Sequence, residues 1–368
     1  MNFIGIDLHK KTISVCVVNQ ERKVLKRRTL CCAEPERIVA FFREWGEFRA
    51  VVEATASYEW LWQLLEPLAQ GLVLAHPGKL RVIAESKNKS DKLDAQVLAE
   101  FLALDMIPEA YRPTPRQRQH RTLVRQRVFV KKNLTRVRNK IRRVLSNYNA
   151  DRPDLFTKAG LTYLQEAKKK VSAADQFVLD QLLEEWHYHR RQFQAVGRQL
   201  QAFARQAPLK EKEIRAVLRS MPSVGPTTVE VVLSEIGDIE RFRSNKRVVA
   251  YAGLAPGQRE SAGRKKELGI TKQGSGLLRW VLVQTAWRTV RCSLRWRSVY
   301  DSPAAAHGDG RPVAHGPTLS TCRPGRRPNR SQGPSGMPSG PGLGDRSASV
   351  GRPTRWNRGF VEPDCRWT

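Results

Sequence analysis

Phe3-Ile4-Gly5-Ile6-Asp7-Leu8 is a short apolar run interrupted by a single charged side chain. Four to eight apolar residues bounded by polar ones read as a buried β-strand. Working outward, Thr12 to Val18 is a second, β-branched strand and Lys23 to Thr29 a third. The breaks between them (His-Lys-Lys and Asn-Gln-Glu-Arg) are short, which predicts a meander. Ile38 to Trp45 then takes helical spacing, and Ala50-Val51-Val52-Glu53 is a fourth strand. Trp60 to Leu68 follows as a helix, Leu72-Val73-Leu74 as a fifth strand, and residues 91–104 as a helix with Ser90 as its N-cap.

The order β-β-β-α-β-α-β-α is that of an RNase H-like (RuvC-like) nuclease core, so the fold class expected is α/β for residues 1–110 and α beyond. Order alone is a weak guide to function, because one fold hosts many activities. The carboxylates add to it. Asp7 ends the first strand and Glu53 the fourth; Asp91 and Asp94 share one face of a helix. Four carboxylates at one sheet edge repel unless cations neutralise them, and hard oxygen donors favour Mg²⁺ or Mn²⁺. Two such ions roughly 4 Å apart clamp the attacking and leaving oxygens of a phosphodiester. Taken singly, each residue also has a structural explanation. Asp7 could cap a turn before His9, Glu53 could end a strand at the surface, and Asp91 suits a helix N-terminus.

The balance of charge points the same way. The chain has 65 Lys and Arg against 35 Asp and Glu, a net charge of +30. That predicts a polyanionic partner, nucleic acid or an anionic membrane face. A hydrophobic content of 40% is enough for real cores. No run of 18 uncharged apolar residues is present, so no bilayer-spanning helix is expected. MNFIGIDL is no secretory leader, and the six cysteines include no CxxC pair. The expectation is a cytoplasmic, nucleoid-associated protein without disulfides or zinc.

Residues 111–150 hold 13 Lys and Arg and no acid. The cations expected at nucleic acid are Arg125, Lys131, Lys132, Arg136, Arg138, Lys140, Arg142 and Arg143. If six to ten of the 13 met phosphates, affinity would fall roughly 10³- to 10⁵-fold between 50 and 200 mM salt. Val130, Leu134, Val137, Ile141, Val144 and Tyr148 form a heptad stripe along the same segment. A second stripe runs Leu179, Leu182, Trp186, His189, Phe193, Val196, Leu200 and Phe203. These stripes predict central coiled-coil helices over 111–210, paired as a hairpin within the chain or between chains. Residues 211–300 are mainly helical. Their Pro222-Ser223-Val224-Gly225 turn resembles a helix-hairpin-helix element, with Gly225 presenting backbone N–H groups to phosphate. Ala255 to Thr271 reads as a Gly-rich basic loop in which Ser261 is flanked by Arg259, Arg264, Lys265 and Lys266. Chemistry alone favours a turn-forming role for that serine, since no general base is adjacent.

FIGIDLHKKT, VVEATASY, NKSDKLDAQVLAEF, MPSVGPTTVEVVLSEIGDIERF and YAGLAPGQRESAGRKKELGITKQGSGLLRW occur in this order over nearly all of residues 1–300. Together they resemble the DEDD-type insertion-sequence transposases of the IS110 group. The resemblance implies a resolvase-type nuclease domain joined through a coiled coil to a C-terminal transposase domain. It implies a DNA recombinase that mobilises its own element, partnered by DNA and by a structured bridge RNA. By the same resemblance the acidic tetrad is Asp7, Glu53, Asp91 and Asp94, and the nucleophile is Ser261. The acidic site of one subunit would act with the serine of another, which requires a dimer or tetramer. Lys89, Arg259, Arg264 and Lys272 are expected at phosphate or RNA. Two alternatives stand beside this reading: a remnant that binds nucleic acid without turnover, and a junction-resolving nuclease or DNA invertase.

The sequence departs from the family pattern in places. Ala56, Ser223 and Ala262 stand where the family has glycine. Each puts a side chain on backbone that glycine often serves with positive φ. Residues 301–368 contain 11 Gly and 10 Pro with no Lys and no Ile. A disordered tail is expected there, either a natural basic extension or, the favoured reading, the product of a frameshift near codon 300. Trp280, Val283, Trp287, Val290 and Leu294 would then lie exposed.

Overall fold

The computed structural model describes residues 1–54, 57–83, 91–261 and 264–302, with backbone alone at 81–83, 91–94, 258–261 and 264–267. The tail at 303–368, Ala56, Ala262, Lys89 and Ser90 lie outside the described residues.

A five-stranded sheet opens the chain, in the order β3-β2-β1-β4-β5. β1 (Asn2–Leu8), β2 (Thr12–Val18) and β3 (Val24–Cys31) form the antiparallel meander. α1 (Pro35–Arg43) crosses to β4 (Phe48–Glu53), which lies parallel to β1. α2 (Glu59–Leu65) crosses to β5 (Gly71–Ala75), parallel to β4. Two short apolar runs joined by a helix must lie parallel, because the helix returns the chain to the same sheet edge. A short α3 (Pro77–Ile83), which the apolar pattern did not predict, precedes α4 (Asp91–Ala103).

Strand alternation sorts the side chains onto two faces. Ile4, Ile6, Leu8, Ala50 and Val52 pack beneath α1 and α2 with Phe41, Phe42, Leu61 and Leu65. Phe3, Cys16, Val51 and Val73 pack beneath α4 with Ala95, Leu98, Ala99 and Leu102. Gly5 belongs to the second face. A Cβ there would overlap the carbonyl oxygen of Ala95 and the amide nitrogen of Ala99. Glycine therefore lets α4 lie directly on β1, and Ala95 and Ala99 keep the helix side of that contact thin.

α5 (Pro115–Ser146) is a 32-residue helix begun by Thr114, whose hydroxyl accepts from the Gln117 amide. α6 (Lys158–Lys168) follows, between the two long helices, and was not predicted. α7 (Ala173–Arg205) spans 33 residues and starts at Ser172, capping the Asp175 amide. α5 and α7 pair antiparallel within the chain. Near one end Ile141 and Leu145 pack with Leu179 and Leu182, and near the other Val124 shares a core with Leu200. The α5 stripe is corrected at its end: Leu145 is buried, Val144 only partly, and Tyr148 lies exposed past the helix. A straight helix drifts from a strict heptad, so the buried face moves by one residue over several turns.

The rest is mostly helical: α8 (Leu209–Ser220), α9 (Pro226–Ile236), α10 (Asn245–Tyr251), α11 (Gly276–Cys292) and α12 (Leu294–Asp301). Val231, Ile236, Ala252, Leu278 and Val281, from α9, the end of α10 and α11, form a core with Val124 of α5 and Leu200 of α7. Trp280, Val283, Trp287 and Leu294 are exposed as expected, whereas Val290 is half-buried. The segment expected as a basic loop is instead an antiparallel hairpin of β6 (Pro256–Ser261) and β7 (Arg264–Ile270). Its strands lack the apolar alternation that signals a half-buried strand, so the pattern hid them. Among the described residues no helix is long and apolar enough to cross a membrane. The four described cysteines, Cys16, Cys31, Cys32 and Cys292, are free thiols.

A buried ionic network ties α5 to α8 and α9. His120 lies 2.8 Å from Glu230, Arg215 holds Glu230 at 3.0 Å, and Glu211 links Arg215 to Arg116. Burial alone would raise the Glu230 pKa. Hydrogen bonds from His120 and Arg215, with their charges, outweigh it and hold the carboxyl at about 2. Its folded pKa is depressed, so its stabilisation is fully present above the unfolded value near 4.5 and is lost as pH falls toward 2. At about 1.4 kcal/mol per unit this is about 3 kcal/mol. Glu230→Gln is expected to lower unfolding free energy by about that much at neutral pH. The gap between wild type and variant should close as pH drops from 4.5 to 2 in denaturation curves.

Candidate active site and nucleic-acid interface

Asp7 and Glu53 each follow the last pair of the β1–β4 ladder, Ile6 and Val52, by one residue. They therefore stand side by side at the C-terminal ends of neighbouring parallel strands. Alternation puts Asp7 with Phe3 and Gly5, and Glu53 with Val51, on the face covered by α4. The direction of α4 follows from two contacts. Ala95 and Ala99 lie over Gly5, while Asp105, just past the helix end, reaches Arg49, the register partner of Phe3, at 3.4 Å. α4 therefore runs antiparallel to β1, and its opening turn, with Asp91 and Asp94, comes to the Asp7 end. The side chains of Asp91 and Asp94 are outside the described residues.

Asp7 is buried, at 9% exposure. His9, two residues on, brings Nε2 to 3.0 Å from its carboxylate. This neighbour was missed in the sequence, although the i, i+2 spacing in an extended chain places both side chains on one side. A buried carboxylate, Asp7, and a half-buried one, Glu53, at adjoining strand ends supply hard oxygen donors, which suit a divalent magnesium or manganese ion. Among the described residues no group of three or more His, Cys, Asp or Glu converges.

Ser261 ends β6 and pairs with Arg264 in the antiparallel ladder. Arg259 pairs with Lys266 in the same ladder. The hairpin springs from the helical core, through Tyr251, Ala252 and Leu254, rather than from the sheet. Lys272 follows β7 with φ of 57°, its amide donating to the Gly253 carbonyl at 3.0 Å.

The basic segment departs from expectation in the fate of its arginines. Arg112 pairs with Glu59 at 2.9 Å and Glu66 at 3.0 Å, and Arg118 with Glu59 at 2.7 Å. Arg116 pairs with Glu211 at 2.7 Å. Arg125, expected at nucleic acid, forks onto buried Glu235 at 2.9 and 3.1 Å. The counter-charge that 111–150 lacks is supplied by α2, α8 and α9, which a local composition count does not see. Arg138 lies 4.5 Å over the Phe156 ring and Lys131 5.6 Å over Phe193. Arg142 donates to the Pro153 carbonyl and pairs with Asp151. Lys132, Arg136, Lys140 and Arg143 remain as an exposed stripe on the outer face of α5; Arg136 alone of these has an acid near, Glu185 at 3.6 Å.

Two transposase family signatures match the chain in order. One, described as transposase, covers residues 4–150, which hold the sheet and α5. The other, described as transposase IS116/IS110/IS902 family, covers 215–301, from α8 to α12. The chain belongs to the IS110 family of insertion-sequence transposases. Its relatives include the transposase of the element IS1111A from Coxiella burnetii, 24% identical over 300 residues, or 79% of this chain and 78% of that protein. A probable family 20 transposase of Pseudomonas aeruginosa is 24% identical over 78% of this chain and 84% of its own. The transposase of IS1328 from Yersinia enterocolitica is 23% identical over 78% and 83%. Transposases are DNA-cutting and rejoining enzymes.

In this IS110-family chain the turn between α8 and α9 carries Ser223 at φ 67°, where the family pattern has glycine. Gly225 is the N-cap of α9, with ordinary extended backbone and open space around its Cα. The left-handed conformation costs an L-residue roughly 1–2 kcal/mol. Ser223→Gly is therefore expected to raise unfolding free energy by up to about 1 kcal/mol after the added unfolded-chain entropy of glycine. A denaturant midpoint that falls instead would show that the serine side chain holds the turn.

Proposed function

We propose that this transposase cuts and rejoins DNA at a composite site: the acidic set Asp7, Glu53, Asp91 and Asp94 of one subunit and Ser261 of another. The observation that carries the reading is the placement of Asp7 and Glu53 on neighbouring strand ends, on the face where α4 opens with the two aspartates. Mg²⁺ or Mn²⁺ held by these oxygens would neutralise charge on the scissile phosphate. Ser261 Oγ attacks phosphorus, the bridging P–O bond breaks, and the freed sugar hydroxyl leaves with a proton. The serine proton passes to a carboxylate of the acidic site and from there to the departing sugar oxygen. Religation runs the same steps backward onto the hydroxyl of another strand, so no external energy source is consumed. In the β6–β7 register Ser261 pairs with Arg264, and Arg259 pairs with Lys266 two positions along; cations at these positions would suit a developing phosphorane charge. The chain is read as a homo-oligomer, since serine and acids arise from separate cores.

The DNA and a structured guide RNA are assigned to the cationic surface, with Lys272 and the Gly225 turn as further contacts. Of α5, only the exposed stripe Lys132, Arg136, Lys140 and Arg143 is assigned to phosphates. Four phosphates correspond to a log–log salt slope of about −3.6, roughly a hundredfold loss between 50 and 200 mM salt. Changing all four to glutamine is expected to make the slope shallower by about 3 to 4. A variant with an unchanged slope would move the DNA track off α5. The composite reading itself is tested by mixing a Ser261→Ala chain with an Asp7→Asn chain. Joining activity should return in the mixture, while either variant alone stays inactive.

A further inference from the structure

We propose that the outer face of α11 and α12 is a stacking platform for unpaired nucleotides. α11 buries Leu278 and Val281 in the helical core and turns Trp280, Val283 and Trp287 outward. Trp280 and Trp287 are seven residues apart, two turns on one stripe, about 10.5 Å along the axis. α12 folds back so that the Tyr300 ring lies 5.6 Å from Trp287. Trp280, Trp287 and Tyr300 are each about half exposed, at 45%, 48% and 52%. Three large ring faces in water at one place need an occupant.

Charge selects which one. Residues 276–300 contain five arginines, no lysine and no acid. Arg279 donates to the Ala252 carbonyl, whereas Arg291, Arg295 and Arg297 are exposed on the same two helices as the rings. Arg295 lies 6.0 Å over the Trp296 ring. A second copy of this face would bring like charges together, which works against self-pairing. Aromatic rings flanked by cations are the chemistry of single-strand recognition: bases stack on the rings and phosphates meet the guanidinium groups. Unpaired DNA and unpaired RNA share that chemistry. A duplex, whose bases are stacked internally, does not offer it. The proposal rests on the chain's being a transposase and is independent of the serine reading, because its test measures binding and not recombination.

The test uses the full chain and fluorescein-labelled oligo(dT), oligo(U) and a duplex of equal length, read by anisotropy. Trp280→Ala/Trp287→Ala is expected to lose about tenfold or more in affinity for single strands, within the range one or two stacked bases supply. Its affinity for duplex should change less than about twofold, and its salt slope should not change, since no phosphate contact is removed. Trp280→Phe/Trp287→Phe, which keeps flat rings, should bind single strands within about threefold of wild type. Stronger binding of oligo(dT) or oligo(U) assigns the occupant as DNA or RNA. Equal losses on single strands and duplex, or no loss on either, would overturn the proposal. So would unchanged oligonucleotide binding in an alanine variant that light scattering shows as a smaller species, because the face would then join two copies of the chain.

Discussion

Ser261→Ala is expected to abolish strand joining, by about 10³-fold or more, while leaving DNA affinity within about twofold of wild type. The substitution removes one oxygen and no charge at the end of β6, and the β6–β7 ladder is held by backbone bonds. Folding should therefore be unaffected. What disappears is the only atom in the account that forms a bond with phosphorus. Cleavage by the acidic site with water as nucleophile would survive this change. Gel analysis of a supercoiled plasmid carrying the element ends separates the two. Loss of both nicking and joining supports the serine; persistent nicking with Ser261→Ala assigns the chain to the junction-nuclease class instead.

Asp7→Asn carries the second large effect. The variant keeps the shape of the side chain and removes its charge at a buried strand end, 3.0 Å from His9 Nε2. A divalent cation loses a hard anionic donor, and roughly 10²-fold or more in joining rate is expected to go with it. Unlike Ser261→Ala, this change should also suppress metal-dependent nicking. An Asp7→Asn protein with full activity over a magnesium titration would remove the acidic site from the reaction.

The sheet was legible in the sequence because its core strands are short apolar runs and its crossovers have helical spacing. Asp7 stood out as the charged residue in an apolar strand, and the parallel β1–β4 pairing places it beside Glu53. Gly5 was legible as a strand glycine, but its reason came only from α4, whose backbone occupies the space a Cβ needs. The β6–β7 hairpin was not legible, since polar residues on both faces leave no period-two signal. Nor were the partners of Arg112, Arg116, Arg118 and Arg125. Glu59, Glu211 and Glu235 are remote in sequence, and the charge of a helix in isolation says nothing of what packs on it. The cationic surface is accordingly narrower than composition implied, a stripe from Lys132 to Arg143 in place of a whole helix. α6 escaped because eleven residues between two long seams carry too short a pattern to separate from a turn.

The proposed reaction passes through a covalent bond between Ser261 and DNA. The most direct measurement traps the reaction on a suicide DNA substrate with magnesium and the flanking transcript, digests both polymers, and sequences the modified peptide by mass spectrometry. A phosphonucleotide is expected on Ser261, in the peptide between Arg259 and Arg264, and none in Asp7→Asn chains. Strand joining with no adduct, or an adduct on any other residue, would contradict it.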